Sequence, residues 1–230
     1  MSGHAYTAEG VRAPRAPRPP AAAPRAAVAL GVAALCVLAM VVVYLVFAHV
    51  PAAKTRDATT LRDFVDLHTS FISRNGPHLL KLLSPGLFTL WGIAIVCFAL
   101  ARGRPRVAVA AALLLTVAPL SAELLKPLLA HPHVQIGDVH VGQASWPSGH
   151  ATAALTLVLS ALLVTPQRWR WVVAWLGAAF ALAVGLVLLI LAWHMPSDVL
   201  GGYLLALLCG ALAVAGLRAA ERRWPQGSLD

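Results

Sequence analysis

The feature that most constrains this chain is a series of long, uninterrupted apolar runs. Six of them occur, at residues 26–49, 85–101, 107–129, 149–165, 171–192 and 197–217. A helix that crosses a bilayer needs roughly 20 mostly apolar residues, and its backbone polar groups must be satisfied internally. The sequence therefore predicts an all-α, polytopic integral membrane protein with a six-helix transmembrane bundle.

Composition and charge agree with a membrane location. The chain is 59% hydrophobic and 12% charged, whereas soluble domains carry about 25% charged residues. A net charge of +9 would suggest nucleic acid in a soluble protein. Here the arginines flank the apolar runs, so we predict contact with anionic membrane lipids and no nucleic-acid partner. Cys36, Cys97 and Cys209 each lie inside an apolar run and lack the spacing of a disulfide framework or metal site.

The segments outside the apolar runs define the domain organisation. Residues 1–25, rich in Ala, Pro and Arg, predict a disordered cytoplasmic tail, 26–220 the six-helix domain, and 221–230 a short cytoplasmic tail. In the polar stretch 52–84, apolar residues from Leu61 to Ile72 recur at helical spacing, with Thr60 as the expected N-cap. This pattern favours an interfacial helical segment between helices 1 and 2 over a small soluble lid.

The distribution of basic residues predicts the orientation. With six spans, the arginines of the N-terminal tail, the second loop, the fourth loop and the C-terminal end all fall on one side. The third and fifth loops contain no Lys or Arg, and the mixed-charge first loop is the exception. The positive-inside rule then places both termini in the cytoplasm and the third and fifth loops outside the plasma (inner) membrane.

The two charge-poor outer loops contain most of the unusual polar residues. The turn Pro147-Ser148-Gly149-His150 opens an apolar helix, whose unpaired backbone N–H groups would bind an anion such as phosphate. The simpler alternative is an ordinary N-cap by Ser148.

A second group of polar residues lies farther along the outer side. His194 and Asp198 stand four residues apart, a spacing at which a carboxylate can orient an imidazole. Alternatively, Asp198 caps a helix and His194 is simply interfacial. Lys126 could bind phosphate, extend to the interface, or pair with Glu123 one turn earlier.

These blocks, in this order, resemble the type 2 phosphatidic acid phosphatase (PAP2) superfamily. The family pattern is K-x6-R-P, then P-S-G-H, then S-R-x5-H-x3-D. Residues 147–150 match the middle block, His194 and Asp198 match the last, and Lys126 opens the first. His133-Val134 and Val187-Leu188 stand where the family has Arg-Pro and Ser-Arg, so this chain is a variant that lacks two motif arginines.

The resemblance implies a lipid phosphatase of phospholipid metabolism, a hydrolase that acts on a phosphomonoester or diphosphate lipid at the outer membrane face. It implies that His194 forms a phosphohistidine, Asp198 orients its ring, and His150 acts as acid and base. The expected substrate-binding residues are Lys126, Pro147, Ser148, Gly149, His131 and His133, the two histidines being possible substitutes for the missing arginines. No cofactor and no metal are expected, and the sequence predicts no particular oligomeric state.

Four other functions stay open at this point. The chain could be a catalytically degenerate family relative, because His cannot reproduce the bidentate contact of Arg with phosphate. Ser148 and His194 could form an intramembrane serine protease dyad. The histidines could line a transporter path, or several of them could bind zinc.

Overall fold

All regular structure in the described residues is helical. The computed structural model describes residues 22–134 and 140–224, with side chains from residue 26 onward. Residues 22–25 and 221–223, which were assigned to the two predicted tails, belong to helices. Residues 1–21 and 225–230 lie outside the described range, so the rest of the two tails stays a prediction. The helices are α1 (Ala22–His49), α2 (Pro51–Val65), α3 (Ser70–Lys81), α4 (Pro85–Ala101), α5 (Pro105–Leu128), α6 (Gly149–Val164), α7 (Arg170–Ile190) and α8 (Pro196–Arg223), with a 3-10 turn at Gln167–Trp169.

Each of the six predicted apolar runs forms a helix, namely α1, α4, α5, α6, α7 and α8. Four of these, α1, α5, α7 and α8, are long and apolar enough to cross a membrane individually. The pair α3 and α4, bent by 53°, could form a fifth span, whereas α6 has only 16 residues. The protein is therefore a helical membrane protein with four or five candidate spans among the described residues, and the count of six stays a prediction.

The segment between α1 and α4 contains two helices, and the expectation of one helix beginning after Thr60 was wrong. Thr60 lies inside α2, which begins at Pro51, a residue whose fixed φ and missing N–H suit the first helical position. The second helix, α3, begins after Thr69, whose hydroxyl accepts a hydrogen bond from the Ile72 backbone N–H at 3.3 Å. The location of this segment on the bilayer surface stays a prediction.

Helix α6 occupies the centre of the bundle and contacts α4, α5, α7 and α8. Its buried positions carry mainly Ala, Thr and Ser, and small residues of this kind let transmembrane helices approach closely. Helix α1 packs along α8 on the outside of this group. Helices α2 and α3 cover the end where α7 finishes and α8 begins, because Leu61 and Leu80 join the buried cluster that contains Leu188 and Val199.

Candidate active site

The end of α7 places His194 outside the helix. The Trp193 N–H donates to the Leu188 carbonyl at 2.9 Å and the Ala192 N–H to the Leu189 carbonyl at 3.0 Å, the two bonds of a Schellman motif. The motif requires a left-handed residue, and Ala192 adopts it with φ 54° at a cost of about 1 kcal/mol relative to glycine. The chain therefore turns sharply just before His194.

The first turn of α8 brings Asp198 to His194. Asp198 is fully buried, and its Oδ2 accepts a hydrogen bond from the Met195 N–H at 2.9 Å. The same oxygen lies 3.4 Å from Nδ1 of His194, whose side chain is 12% exposed. This contact is longer than a good hydrogen bond, as catalytic contacts often are without substrate. Asp198 is thus the third residue of α8 rather than its N-cap, and it contacts the imidazole as well as the helix terminus.

The start of α6 is bonded directly to the start of α8. Ser148 is the N-cap of α6, and its hydroxyl oxygen accepts from the Ala151 N–H at 3.4 Å. The Ser148 N–H donates to the Asp198 carbonyl at 2.9 Å, and the Thr152 hydroxyl contacts the Gly202 carbonyl at 3.2 Å. The predicted turn and the predicted His–Asp couple therefore meet at one end of the bundle.

Two glycines of α8 permit this close approach. A β-carbon at Gly201 would lie 2.5 Å from Nε1 of Trp146, and one at Gly202 would lie 2.5 Å from the Ser148 carbonyl oxygen. Both distances are far below any normal carbon contact, so a larger residue would push the two helices apart. Pro147, which follows a cis peptide bond, is fully buried in this contact.

His150 and Lys126 face the same space as His194. The His150 ring lies edge-on to that of Trp193 with 5.9 Å between centroids, and it is close enough to His194 and Lys126 for their charges to interact with it. Lys126 pairs with Glu123 at 2.6 Å, which confirms the ion-pair alternative. A β-carbon at Gly149 would lie 2.5 Å from Oε1 of Glu123 and 3.3 Å from Nζ of Lys126, so this pair lies against the N-terminus of α6.

His131 and His133 form a separate pair of rings whose centroids are 4.7 Å apart. His131 is buried, with Nδ1 3.0 Å from the Leu129 carbonyl oxygen, and Nε2 of His133 lies 2.9 Å from the Ser145 hydroxyl. Burial lowers the pKa of His133, although the negative charge of Asp198 acts in the opposite direction. Burial thus opposes protonation of the His133 ring, and its role as a replacement for Arg stays a prediction.

One carboxylate near the site was missed by the sequence reasoning. Asp57 of α2 is buried, and its two carboxylate oxygens accept from the Ser197 N–H at 3.1 Å and from the Ser197 hydroxyl at 2.6 Å. Burial is the main cause that raises the pKa of Asp57 to about 6, against the lowering effect of these two hydrogen bonds. Asp57 thus fixes α2 to the residue next to Asp198, and no local sequence signal marks a contact across 140 residues.

We expect Asp57→Asn to remove a pH dependence of stability. The folded-state pKa of Asp57 is raised from 3.8 to about 6, so the folded protein holds this proton more tightly than the unfolded chain does. Asp57 therefore contributes to the free energy of unfolding fully below pH 3.8, and this contribution is lost as pH rises through about 6. The wild type loses this free energy as pH rises and the variant does not. The free energy of unfolding of the variant should therefore rise by on the order of 2 kcal/mol relative to that of the wild type between about pH 4 and pH 7. Thermal unfolding of the full chain across this range measures the difference.

The control is Asp63→Asn, which removes an exposed carboxylate from the same helix. A wild-type-minus-variant difference for Asp57→Asn that stays constant with pH would contradict the raised pKa.

Two further features of the site are the arrangement of possible metal ligands and the position of a missing motif arginine. Within residues 22–134 and 140–224, no group of three or more His, Cys, Asp or Glu side chains is arranged to hold a metal ion. Leu188, which stands where the PAP2 pattern has an arginine, is fully buried in the apolar core. Lys126 lies against Gly149, so its charge is next to the N-terminus of α6, where the helix dipole is also positive.

Comparison with known proteins supports the fold and the family. A crystal structure described as the first transmembrane PAP2 type phosphatidylglycerolphosphate phosphatase, from Bacillus subtilis, superposes with a TM-score of 0.70. It shares 18% sequence identity, and the alignment covers 85% of this chain and 98% of that one. No curated protein matches the sequence significantly. The sequence model of the PAP2 superfamily matches residues 80–222, more than half of the chain. The fold, the order of the three blocks and this match together show that the chain belongs to the PAP2 superfamily.

Proposed function

We propose that this protein is a membrane lipid phosphatase that works through a phosphohistidine on His194. The observation that carries the proposal is the hydrogen bond from the Ser148 N–H to the Asp198 carbonyl, because it joins the anion-binding end of α6 to the imidazole–carboxylate couple. An imidazole, a buried carboxylate and a helix N-terminus within one space are the groups that phosphoryl transfer to a histidine requires. The substrate would be a phosphomonoester or diphosphate lipid.

The geometry favours Nε2 of His194 as the attacking atom, because Nδ1 faces Asp198. In the first step an N–P bond forms, the bond between phosphorus and the lipid oxygen breaks, and His150 donates a proton to that oxygen. In the second step His150 takes a proton from water, whose oxygen attacks phosphorus and breaks the N–P bond. Inorganic phosphate leaves, and both histidines return to their starting states.

The non-bridging oxygens would be held at the N-terminus of α6. Lys126 supplies a full charge, and the Gly149 N–H belongs to the first turn of the helix, whose free N–H groups and dipole favour an anion. Ser148 can donate its hydroxyl proton while its oxygen accepts from the Ala151 N–H, since a hydroxyl does both. Pro147 shapes this turn, and His131 and His133 would contribute hydrogen bonds to the phosphate.

We place the site at the outer face of the plasma membrane, with both termini in the cytoplasm. The starts of α5 and α7 and the end of α8 lie at the other end of the bundle from His194, and their arginines are those that the positive-inside rule assigns to the cytoplasm. These arginines are Arg102, Arg104, Arg106, Arg168, Arg170, Arg218, Arg222 and Arg223.

A second candidate function is binding of a lipid phosphate without hydrolysis. It is favoured by Leu188, a buried apolar side chain where the family pattern has a phosphate-binding arginine. An intramembrane serine protease is less favoured, because the order of Lys126, the turn 147–150, His194 and Asp198 along the chain is that of a phosphatase family. Labelling of Ser148 by a fluorophosphonate probe would support the protease.

The decisive experiment measures phosphate release by the purified full chain from a panel of lipid phosphates. The panel includes phosphatidic acid, phosphatidylglycerophosphate, polyprenyl phosphate and diphosphate, and a sphingoid phosphate. Release from at least one of them, retained in EDTA, is the expected result. Tight binding without release would favour the binding protein, and activity that is lost in EDTA and restored by zinc or magnesium would contradict the metal-free mechanism.

We expect Glu123→Gln to strengthen phosphate binding. The Glu123 carboxylate pairs with Lys126 and lies against Gly149, where the phosphate would bind, so the incoming anion must displace it. Because Glu123 is 60% exposed, the pair is screened and contributes about 1 kcal/mol at most. The KM for the lipid phosphate and the inhibition constant of inorganic phosphate should each fall up to about fivefold, with kcat nearly unchanged.

The matched control is Asp66→Asn, which breaks the exposed pair between Arg62 and Asp66. It should leave both constants unchanged. A rise in KM for Glu123→Gln would instead mean that Glu123 holds Lys126 in its working position.

A further inference from the structure

A groove lined by apolar side chains and three arginines lies at the other end of the bundle from His194. It has a volume of about 780 Å³ and is formed by α1, α5, α6 and α8, with Arg170 at the start of α7. Arg218 follows Asp198 by 20 residues in the same helix, and at 1.5 Å per residue the two are roughly 30 Å apart. The groove is therefore separate from the phosphatase site.

The walls of the groove suit acyl chains. They include Val28 and Val32 of α1 and Leu207 of α8, whose exposed fractions are 65%, 42% and 39%. At membrane depth, such exposure means contact with lipid tails rather than with water. Gly210 keeps α6 and α8 close at the floor, since a β-carbon there would lie 2.9 Å from Cδ1 of Leu159.

The basic residues are concentrated at one end of these walls. Arg104, Arg170 and Arg218 line the groove together with a single acid, Glu221, which pairs with Arg218 at 2.9 Å. Arg170 is oriented by hydrogen bonds to the Thr165 carbonyl at 3.2 Å and to Oε1 of Gln167 at 3.0 Å. The Arg104 guanidinium makes no hydrogen bond or ion pair with any residue in the part of the chain that the structure describes. Arg104 and Arg170 thus line the groove without an acidic partner among the described residues.

We propose that this groove binds an anionic diacyl phospholipid of the surrounding leaflet. Its phosphate would contact Arg104 and Arg170, and an acyl chain would lie along the α1–α8 wall. Arginine recognises phosphate through paired N–H donors, and basic pockets between transmembrane helices select anionic headgroups. The bound lipid would join α1 to α5, α6 and α8, so its binding stabilises the bundle without entering the catalytic reaction.

The test compares thermal unfolding of the full chain in detergent with added phosphatidylglycerol, phosphatidylcholine or inorganic phosphate. Phosphatidylglycerol should raise the Tm on the order of 5 °C more than phosphatidylcholine does. Inorganic phosphate would bind at the N-terminus of α6, so any rise in Tm that it causes should be the same in the wild type and in the groove variants. The double substitution Arg104→Gln with Arg170→Gln should abolish this difference. The matched control, Arg102→Gln with Arg168→Gln, removes the same charge from the same two loops outside the groove and should retain it.

Ala211→Phe provides a second variant, because it fills the groove without changing its charge. It too should lose the phosphatidylglycerol effect. An equal response of the two double variants to phosphatidylglycerol, or equal effects of the two lipids on the wild type, would overturn the proposal. An effect of inorganic phosphate that is lost in the Arg104→Gln with Arg170→Gln variant would also overturn it, because the groove would then bind a free anion rather than a lipid.

Discussion

Replacing His194 with alanine is expected to lower phosphate release on the order of 10³-fold or more, because it removes the only atom proposed to bond to phosphorus. Binding should change far less, since Lys126 and the N-terminus of α6 remain. The loss should therefore appear in kcat rather than in KM. Steady-state phosphate release from the best substrate of the panel measures both constants.

A covalent test separates this role from general damage to the site. Brief reaction with a substrate that carries a labelled phosphate should leave label on the wild-type chain that is stable in alkali and lost in acid, as expected of an N–P bond. His194→Ala should carry none. The control is His78→Ala, an exposed histidine of α3, which should label normally. Label that persists in His194→Ala would exclude His194 as the nucleophile.

The second large effect is expected for Asp198→Asn. Oδ2 of Asp198 both accepts from the Met195 N–H and contacts His194, whereas Oδ1 is buried and has no hydrogen-bond partner among the described residues. The side-chain oxygen of an asparagine can accept from the Met195 N–H, and its amide nitrogen can take the place of Oδ1. The variant therefore keeps the hydrogen bond at the start of α8 and loses only the charge that orients and stabilises the imidazole. We expect kcat to fall on the order of 10³-fold with little change in Tm.

Comparison with Asp198→Ala separates the two roles of the carboxylate. The alanine variant also loses the hydrogen bond from the Met195 N–H, which contributes about 1.5–3 kcal/mol, so its Tm should fall as well. Thr69→Ala is the matched control, because it removes the cap of α3 without touching the site, and it should lower the Tm alone. A normal kcat in Asp198→Asn would show that Asp198 acts only through its hydrogen bond with the Met195 N–H.

The fold was predictable where hydrophobic pattern alone determines it. A run of some 20 apolar residues has few alternatives to a helix, and all six runs are helical. The segment 52–84 was harder, because its apolar residues keep a helical period across the break between α2 and α3. The stronger signals were Pro51, which fixes the start of α2, and Thr69, which caps α3.

The site was predictable where its residues are close in sequence. The turn 147–150 and the pair of His194 and Asp198 each carry a local pattern, and Lys126 stands out as a cation in an apolar run. The spacing of residues along the chain could not predict contacts between distant segments. The hydrogen bonds of Asp57 to Ser197 and the position of Glu123 against Gly149 depend on how the helices pack.

The contact of Asp57 with Ser197 has a consequence for biosynthesis. Asp57 is made early, whereas Ser197 opens the last helix, so the two meet only after the translocon has released almost the whole chain. A nascent chain that lacks α8 has neither the contact of His194 with Asp198 nor the hydrogen bonds of Asp57 to Ser197. Under the proposed function, a chain that ends before residue 194 would therefore release no phosphate from lipids.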